Sequence, residues 1–438
     1  MPKPETSGQP KETLGKLFPD GSAIERLSDQ RLLLRRNGEE LIGPTVSHNG
    51  QVYAAALLDP KLEALIALPA ETSDFGTIES LATELSMAIS SYLALDEETA
   101  LLVAAFVLST WVIECLPSTV CLNPWGPAGT ETNLIEILSS LCRHPLRLVE
   151  PSLRELASLP EGLCPTLILK QPSARVLGRL LAAAGEPDVQ LLQGGRLVNL
   201  RCATVVCSQY PIVVRALPIP LISSESRYRR LSKADLQNLA EEFHPRLLRY
   251  RLTQHLPVAA SPFDEPNFAP EARVLARLLG AAVEGASAVQ GRIVAALEPL
   301  DEQHKSEQAQ SLSAIVLEAL LALCHEDNKS VYVFELTEVA NTILFGRQDH
   351  RELSPKAVGA ILRNELGLAA KRSGPGYELP LTNDLRARVH RLAASHDMLT
   401  MLQPKPDCPW CDGILGTTTT EIAVPSTSST QSAQVHGS

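Results

Sequence analysis

The spacing of apolar residues divides the chain into stretches of different period. From Ile78 to Leu116 the period is helical: Leu81, Leu85, Ile89 and Leu93 recur about one turn apart, and 97–115 is apolar on nearly every face. A helix without a polar side belongs in an interior. From about 117 to 222, short β-branched runs alternate with amphipathic ones. Strands are expected at 119–123, 166–169, 197–200, 204–208 and 213–217, and helices at 132–142, 152–157 and 174–184. That alternation predicts an α/β fold with a parallel sheet. Residues 232–300 turn helical again, interrupted by a Pro-rich link at 257–270. Upstream, residues 1–30 are polar and expected to be loosely ordered at first, and 31–75 form a small β-containing lead-in.

The carboxy-terminal third has its own pattern. A helix at 312–323, a strand at 330–334 and a helix at 335–344 precede SPKAVGAILRNEL, in which Ser354 caps a third helix with Pro355 in its first turn. Gly367 ends it. Two short apolar runs then flank Ser373-Gly374-Pro375-Gly376, as in a β-hairpin. The order resembles a winged helix. The resemblance implies that the third helix enters a DNA groove and the hairpin touches backbone. Lys356, Arg363 and Asn364 on the helix, and Lys371 and Arg372 on the wing, are the candidate DNA contacts. A winged helix used for protein docking, or as a structural cap, is the alternative.

Composition narrows the function classes. The 438 residues suffice for two or three domains, and 45% apolar with 20% charged residues fits large buried cores. A net charge of −11 argues against a body that coats nucleic acid. The longest apolar run, 101–113, is shorter than the roughly 20 residues a bilayer requires. The expectation is a cytoplasmic protein with no membrane part. Seven of the nine cysteines stand singly among apolar neighbours, as reduced core cysteines do.

The segment CLNPWGPAGTETNLIEILSSLC carries the main chemical signal. An apolar strand enters a Gly/Pro loop and leaves into an amphipathic helix, the layout of a phosphate-binding loop. That chemistry needs G-x-x-x-x-G-K-[ST]. Here Gly126 fills the first position, Gly129 lies within the loop, and Glu131, Thr132 and Asn133 stand where the second Gly, the Lys and the Ser/Thr belong. A carboxylate about 4 Å from a phosphate costs on the order of 4 kcal/mol at an effective dielectric near 20. Glu131 could instead cap the helix and occupy the anion nest itself. The strand at 166–169 ends in Lys170-Gln171, so no carboxylate stands there for magnesium. The strand at 203–207 ends in Ser208-Gln209, and Arg215 follows.

With these residues the chain resembles the AAA+-type P-loop ATPases of mobile elements and phage–plasmid replication modules, the primase-associated helicase-like proteins, over about 78–255. The resemblance implies an ATP-driven motor on DNA, but every residue type that binds or hydrolyses ATP is replaced. Arginines past the α/β region can touch nucleotide or a neighbouring subunit in such proteins. Here Arg227, Arg229, Arg230, Lys233, Arg246, Arg249 and Arg251 stand against three anions. A solvated helix face is the competing reading. Between Arg351 and Arg391, eight cations face four anions, a second basic stretch. Cys408-Pro-Trp-Cys411 is half of a zinc knuckle, with His390 and His396 as candidates for the other half; an inert or occasional thiol pair is the alternative.

The expected architecture is therefore α/β, a P-loop NTPase-like parallel sheet with a helical lead-in and a helical, winged-helix carboxy-terminal part. Its expected segments are 1–77 (lead-in), 78–230 (ATPase-like), 231–310 (helical), 311–400 (winged helix) and 401–438 (CxxC and disordered tail). The expected function is that of a pseudo-ATPase that binds DNA or a protein partner, with no cofactor, and ATP or zinc as the alternatives. An active ATPase or helicase subunit completed by a neighbour in an oligomer, and a winged-helix transcription regulator, are the competing functions.

Overall fold

The computed structural model describes residues 10–160, 162–185, 190–193, 196–212, 216–221, 231–253, 268–326, 328–395 and 408–411. The chain divides into two compact units, 1–301 and 302–438.

The first unit opens with seven short strands: β1 (Lys11–Thr13), β2 (Gly15–Leu17), β3 (Ala23–Arg26), β4 (Leu32–Arg36), β5 (Glu39–Gly43), β6 (Thr45–His48) and β7 (Gln51–Ala55). They form a β2-β3-β4-β5 meander and a β1-β7-β6 sheet. Asn37-Gly38 and Asn49-Gly50 turn with positive φ at both residues, the geometry of a two-residue hairpin. For residues 10–30 the expectation of loose order is corrected here; residues 1–9 lie outside the described residues. Leu14, Ala23, Ile24 and Leu27 are fully buried. Strands of three or four residues are too short for an alternating pattern to stand out in the sequence.

After α1 (Pro60–Glu63) come α2 (Ile78–Tyr92) and α3 (Glu97–Trp111). Thr77 and Ser80 close a capping box on α2, and Asp96 caps α3. Every residue of α3 from Ala100 to Trp111 is buried. The α/β part follows: β8 (Cys121–Trp125), α4 (Thr132–Leu141), β9 (Pro145–Leu148), α5 (Leu153–Leu156), β10 (Thr166–Lys170), α6 (Ala174–Gly185), β11 (Gln190–Gln193), β12 (Arg196–Asn199), β13 (Ala203–Cys207) and β14 (Ala216–Pro220).

Five of these strands make one parallel sheet in the order β14-β8-β13-β10-β9. Two details differ from the sequence expectation. β9 was not anticipated, since PLRL is short and mixed. The apolar run at 197–200 pairs antiparallel with β11 in a separate hairpin, outside the parallel sheet. Helices α7 (Lys233–Thr253), α8 (Pro270–Ala282) and α9 (Ser287–Ala309) complete the helical layer; α7 and α8 pack on α3, and α7 also packs on α4.

The second unit contains α10 (Leu312–Cys324), β15 (Ser330–Tyr332), α11 (Val333–Gly346), α12 (Pro355–Asn364), β16 (Lys371–Ser373), β17 (Gly376–Pro380) and α13 (Asn383–Ser395). Its sheet is antiparallel, in the order β15-β17-β16. Leu320, Leu336, Leu362 and Val389 sit in a core of its own. Among the described residues, no helix is long and apolar enough to cross a membrane.

Candidate functional site: a cleft at the carboxyl ends of the parallel strands

The chain leaves β8 for β9 at one edge of the sheet, and β13 for β14 at the other. Connections that diverge in this way open a crevice at the carboxyl ends of the strands between them. Gly126, Ala128, Glu131, Lys170, Gln171, Cys207, Ser208 and Gln209 line a cleft there. Its empty space, open solvent included, is about 200 Å³.

Buried Asn123 fixes the strand ends. Its side-chain amide donates to the Val206 carbonyl (2.7 Å) and to Ser208 Oγ (2.8 Å), and its Oδ1 accepts from the Ile212 amide (2.7 Å). Gly126 donates its N–H to the Ser208 carbonyl (3.2 Å). A Cβ at Gly126 would lie 2.4 Å from the Leu221 carbonyl oxygen, so only glycine fits.

Glu131 begins α4, but its carboxylate makes no capping bond to the helix. It turns back into the loop. One oxygen accepts from the Gly129 amide (2.7 Å), and the other lies 2.7 Å from Lys170 Nζ at the end of β10. Thr132 Oγ1 donates to the Gly129 carbonyl (3.0 Å). Burial pushes the Glu131 carboxyl up, but Lys170 and the loop amides outweigh it and hold the group below its usual range. The Glu131 contact raises Lys170 correspondingly.

The cleft thus has a negative charge in the loop and a positive charge at the neighbouring strand end, and the Gly129 amide already donates to the Glu131 carboxylate. Burial, and after it Glu131, push the Cys207 thiol up to about 12, so it offers no thiolate near neutral pH.

The arginines past the sheet do something neither sequence reading foresaw. Arg246 pairs with Glu84 (2.7 Å), and Arg249 with Glu40. Arg251 is fully buried: its Nε lies 2.8 Å from Glu25, and its Nη1 and Nη2 lie 2.8 and 2.9 Å from Glu114. Arg143 meets the same two carboxylates at 2.6 and 3.2 Å. The quartet has no net charge and joins β3, the end of α3, the end of α4 and α7. Burial pushes the Glu114 carboxyl up, but Arg251 and Arg143 together drive it well down. Lys233 is exposed. Arg215, Arg227, Arg229 and Arg230 lie outside the described residues.

In the second unit, Lys356, Arg363, Asn364, Lys371 and Arg372 are all exposed. Lys356 and Arg363 stand seven residues apart, on one face of α12, while Val358, Ile361 and Leu362 fill the other. Cys408 and Cys411 are buried against His390 and His325; His396 lies outside the described residues. Sequence reasoning had not paired His325 with them, because it precedes Cys411 by 86 residues.

No family model and no curated protein matches the chain. Solved structures give distant similarities. SCCmec type IV Cch, described as an active helicase, is 11% identical with a TM-score of 0.39, covering 87% of this chain and 81% of that one. The apo A form of the NrS-1 C-terminal region is 13% identical with a TM-score of 0.35, covering 78% and 90%. A full-length MCM homolog from Methanopyrus kandleri is 13% identical with a TM-score of 0.32, covering 65% and 75%. No residue role is transferred from them.

Proposed function

We propose that the chain is a non-hydrolysing P-loop-like scaffold that holds DNA through a winged helix in its second unit. The observation that carries the reading is the Glu131 carboxylate. It accepts from the Gly129 amide and pairs with Lys170 inside the cleft where a phosphate would sit. A second anion there meets a like charge and finds its amide donor already engaged. Neither Lys170 nor Gln171 supplies a carboxylate for magnesium.

The DNA part rests on the second unit. Its order is helix, strand, two helices and a hairpin, with the third helix of the motif, α12, presenting Lys356 and Arg363 on its outer face. Lys371 and Arg372 extend the basic surface onto the hairpin. Among the described residues, none of these four cations forms an ion pair. The resemblance of 78–255 to primase-associated helicase-like proteins suggests a mobile-element or phage-related setting.

One preparation of the full chain tests both parts. Magnesium-dependent ATP turnover that a Glu131→Arg change abolishes would overturn the scaffold reading. Duplex DNA should bind with steep salt dependence. DNA affinity that Lys371→Glu with Arg372→Glu leaves unchanged would remove the DNA part.

A further inference from the structure

We propose that His325, His390, Cys408 and Cys411 hold a structural zinc ion in the second unit. Each offers one ligand atom, and all four atoms lie within 4.8 Å of one another. His325 Nε2 is 3.0 Å from His390 Nε2, Cys408 Sγ is 3.3 Å from His390 Nε2, and Cys411 Sγ is 3.4 Å from His325 Nε2. Tetrahedral zinc with ordinary bond lengths places nitrogen about 3.3 Å from nitrogen and sulfur about 3.5 Å from nitrogen. The four atoms therefore already approximate a zinc shell. Two thiolates and two neutral imidazoles are a closed structural set that leaves no position for substrate.

The surroundings hold these donors in place. His390 Nδ1 donates to the Arg386 carbonyl one turn earlier in α13 (2.7 Å). That bond fixes the tautomer and leaves the Nε2 lone pair facing the cluster. The Arg386 guanidinium donates to the carbonyls of Cys324, Glu326 and Asn328, which frame the turn that carries His325. Cys411 donates its N–H to the Cys408 carbonyl (3.0 Å), the tight turn that brings two thiols of a CxxC to one side. The Trp410 ring lies 5.9 Å from the His390 ring, and Arg386 sits over its face. His390 and both cysteines are buried. The ion would bolt residues 408–411 to the end of α10 and to α13.

The test is metal analysis of the full chain purified without chelator. One zinc per chain is expected, released on thiol modification, and chelation should lower the thermal midpoint. Cobalt in its place should give thiolate charge-transfer and tetrahedral d–d absorption. His325→Ala and Cys411→Ser should each lose the metal, while His396→Ala should keep it. If a variant fails to fold, the native chain's cobalt spectrum decides. Absence of both zinc and a tetrahedral cobalt spectrum, or a native Cys408–Cys411 disulfide found by mass spectrometry, overturns the proposal. So does loss of metal in His396→Ala with retention in His325→Ala.

Discussion

Changing Glu131 to Gln should open the cleft to anions. The substitution keeps the side chain's shape and removes one charge. The amide oxygen can still accept from Gly129, so the loop keeps its bond. A phosphate about 4 Å from the former carboxylate is relieved of on the order of 4 kcal/mol of repulsion at an effective dielectric near 20, or about 1,000-fold in affinity. Lys170 is 61% exposed, so solvent and salt reduce that ceiling; a gain of roughly 10- to 100-fold is expected. The stability lost with the pair is about 0–1 kcal/mol, because one partner is exposed. Titration calorimetry with pyrophosphate, and then with ATP, reads the gain. Adding Lys170→Met should remove most of it, since the lysine released by the first change supplies the new attraction. The reasoning fails if native protein binds pyrophosphate as tightly as Glu131→Gln.

Further outcomes follow from the same structure. Arg251→Met leaves Glu25 and Glu114 with one arginine between them and should cost about 3–5 kcal/mol in urea unfolding; a loss below about 1 kcal/mol would mean that the quartet does not brace the unit. Lys371→Glu with Arg372→Glu should flatten the dependence of log DNA affinity on log salt by about two units if both reach phosphate, and an unchanged slope would place DNA elsewhere. Burial lowers His244 to about 4, against a smaller opposing effect of its bond to the Ser140 carbonyl. Its contribution is present above about pH 6.5 and is lost as the pH falls towards 4, on the order of 3 kcal/mol; His244→Gln should flatten the stability profile over that range, and a parallel profile would refute the assignment.

The elements legible in the sequence are those whose pattern is local. The all-apolar α3, the amphipathic α4 and the Ser354-Pro355 start of α12 each carry their signal within a dozen residues. The strand–loop–helix order of β8 and α4 was legible for the same reason. The pairing of Glu131 with Lys170 was not, because sheet order decides which strand end faces the loop. In the first two sheets β1, β2 and β3 stayed hidden, because strands of three or four residues show no clear period, while strands at 31–75 were expected only as a small β-containing lead-in. The role of Arg251 stayed hidden because its partner Glu25 is 226 residues away. A run of arginines on a helix reads as a solvated or nucleotide-facing surface until the carboxylates opposite are known. His325 was likewise out of reach, since neither its spacing from the CxxC nor its neighbours mark it as a ligand.

Two ion clusters of the first unit show how one kind of interaction can serve opposite ends. In the quartet, Glu25, Arg143 and Arg251 are buried and Glu114 is partly buried, so each buried charge is tolerable only while the others are present. Removing one strands the rest, which makes the cluster a rigid join between the amino-terminal sheet and the helices around the parallel sheet. The Glu131–Lys170 pair is partly open to solvent, so it contributes little to stability and its members can be exchanged at small cost. In the proposed reading its role is exclusion, since the carboxylate occupies the Gly129 amide and holds a negative charge in the loop. On that reading, full nucleotide chemistry would need both charges reversed, a step beyond the anion binding expected of Glu131→Gln alone. A lysine added to the loop alone would meet Lys170, and an acid added at position 170 alone would meet Glu131. In the proposed reading, the sign of that pair, more than the shape of the loop, sets this cleft apart from a phosphate site.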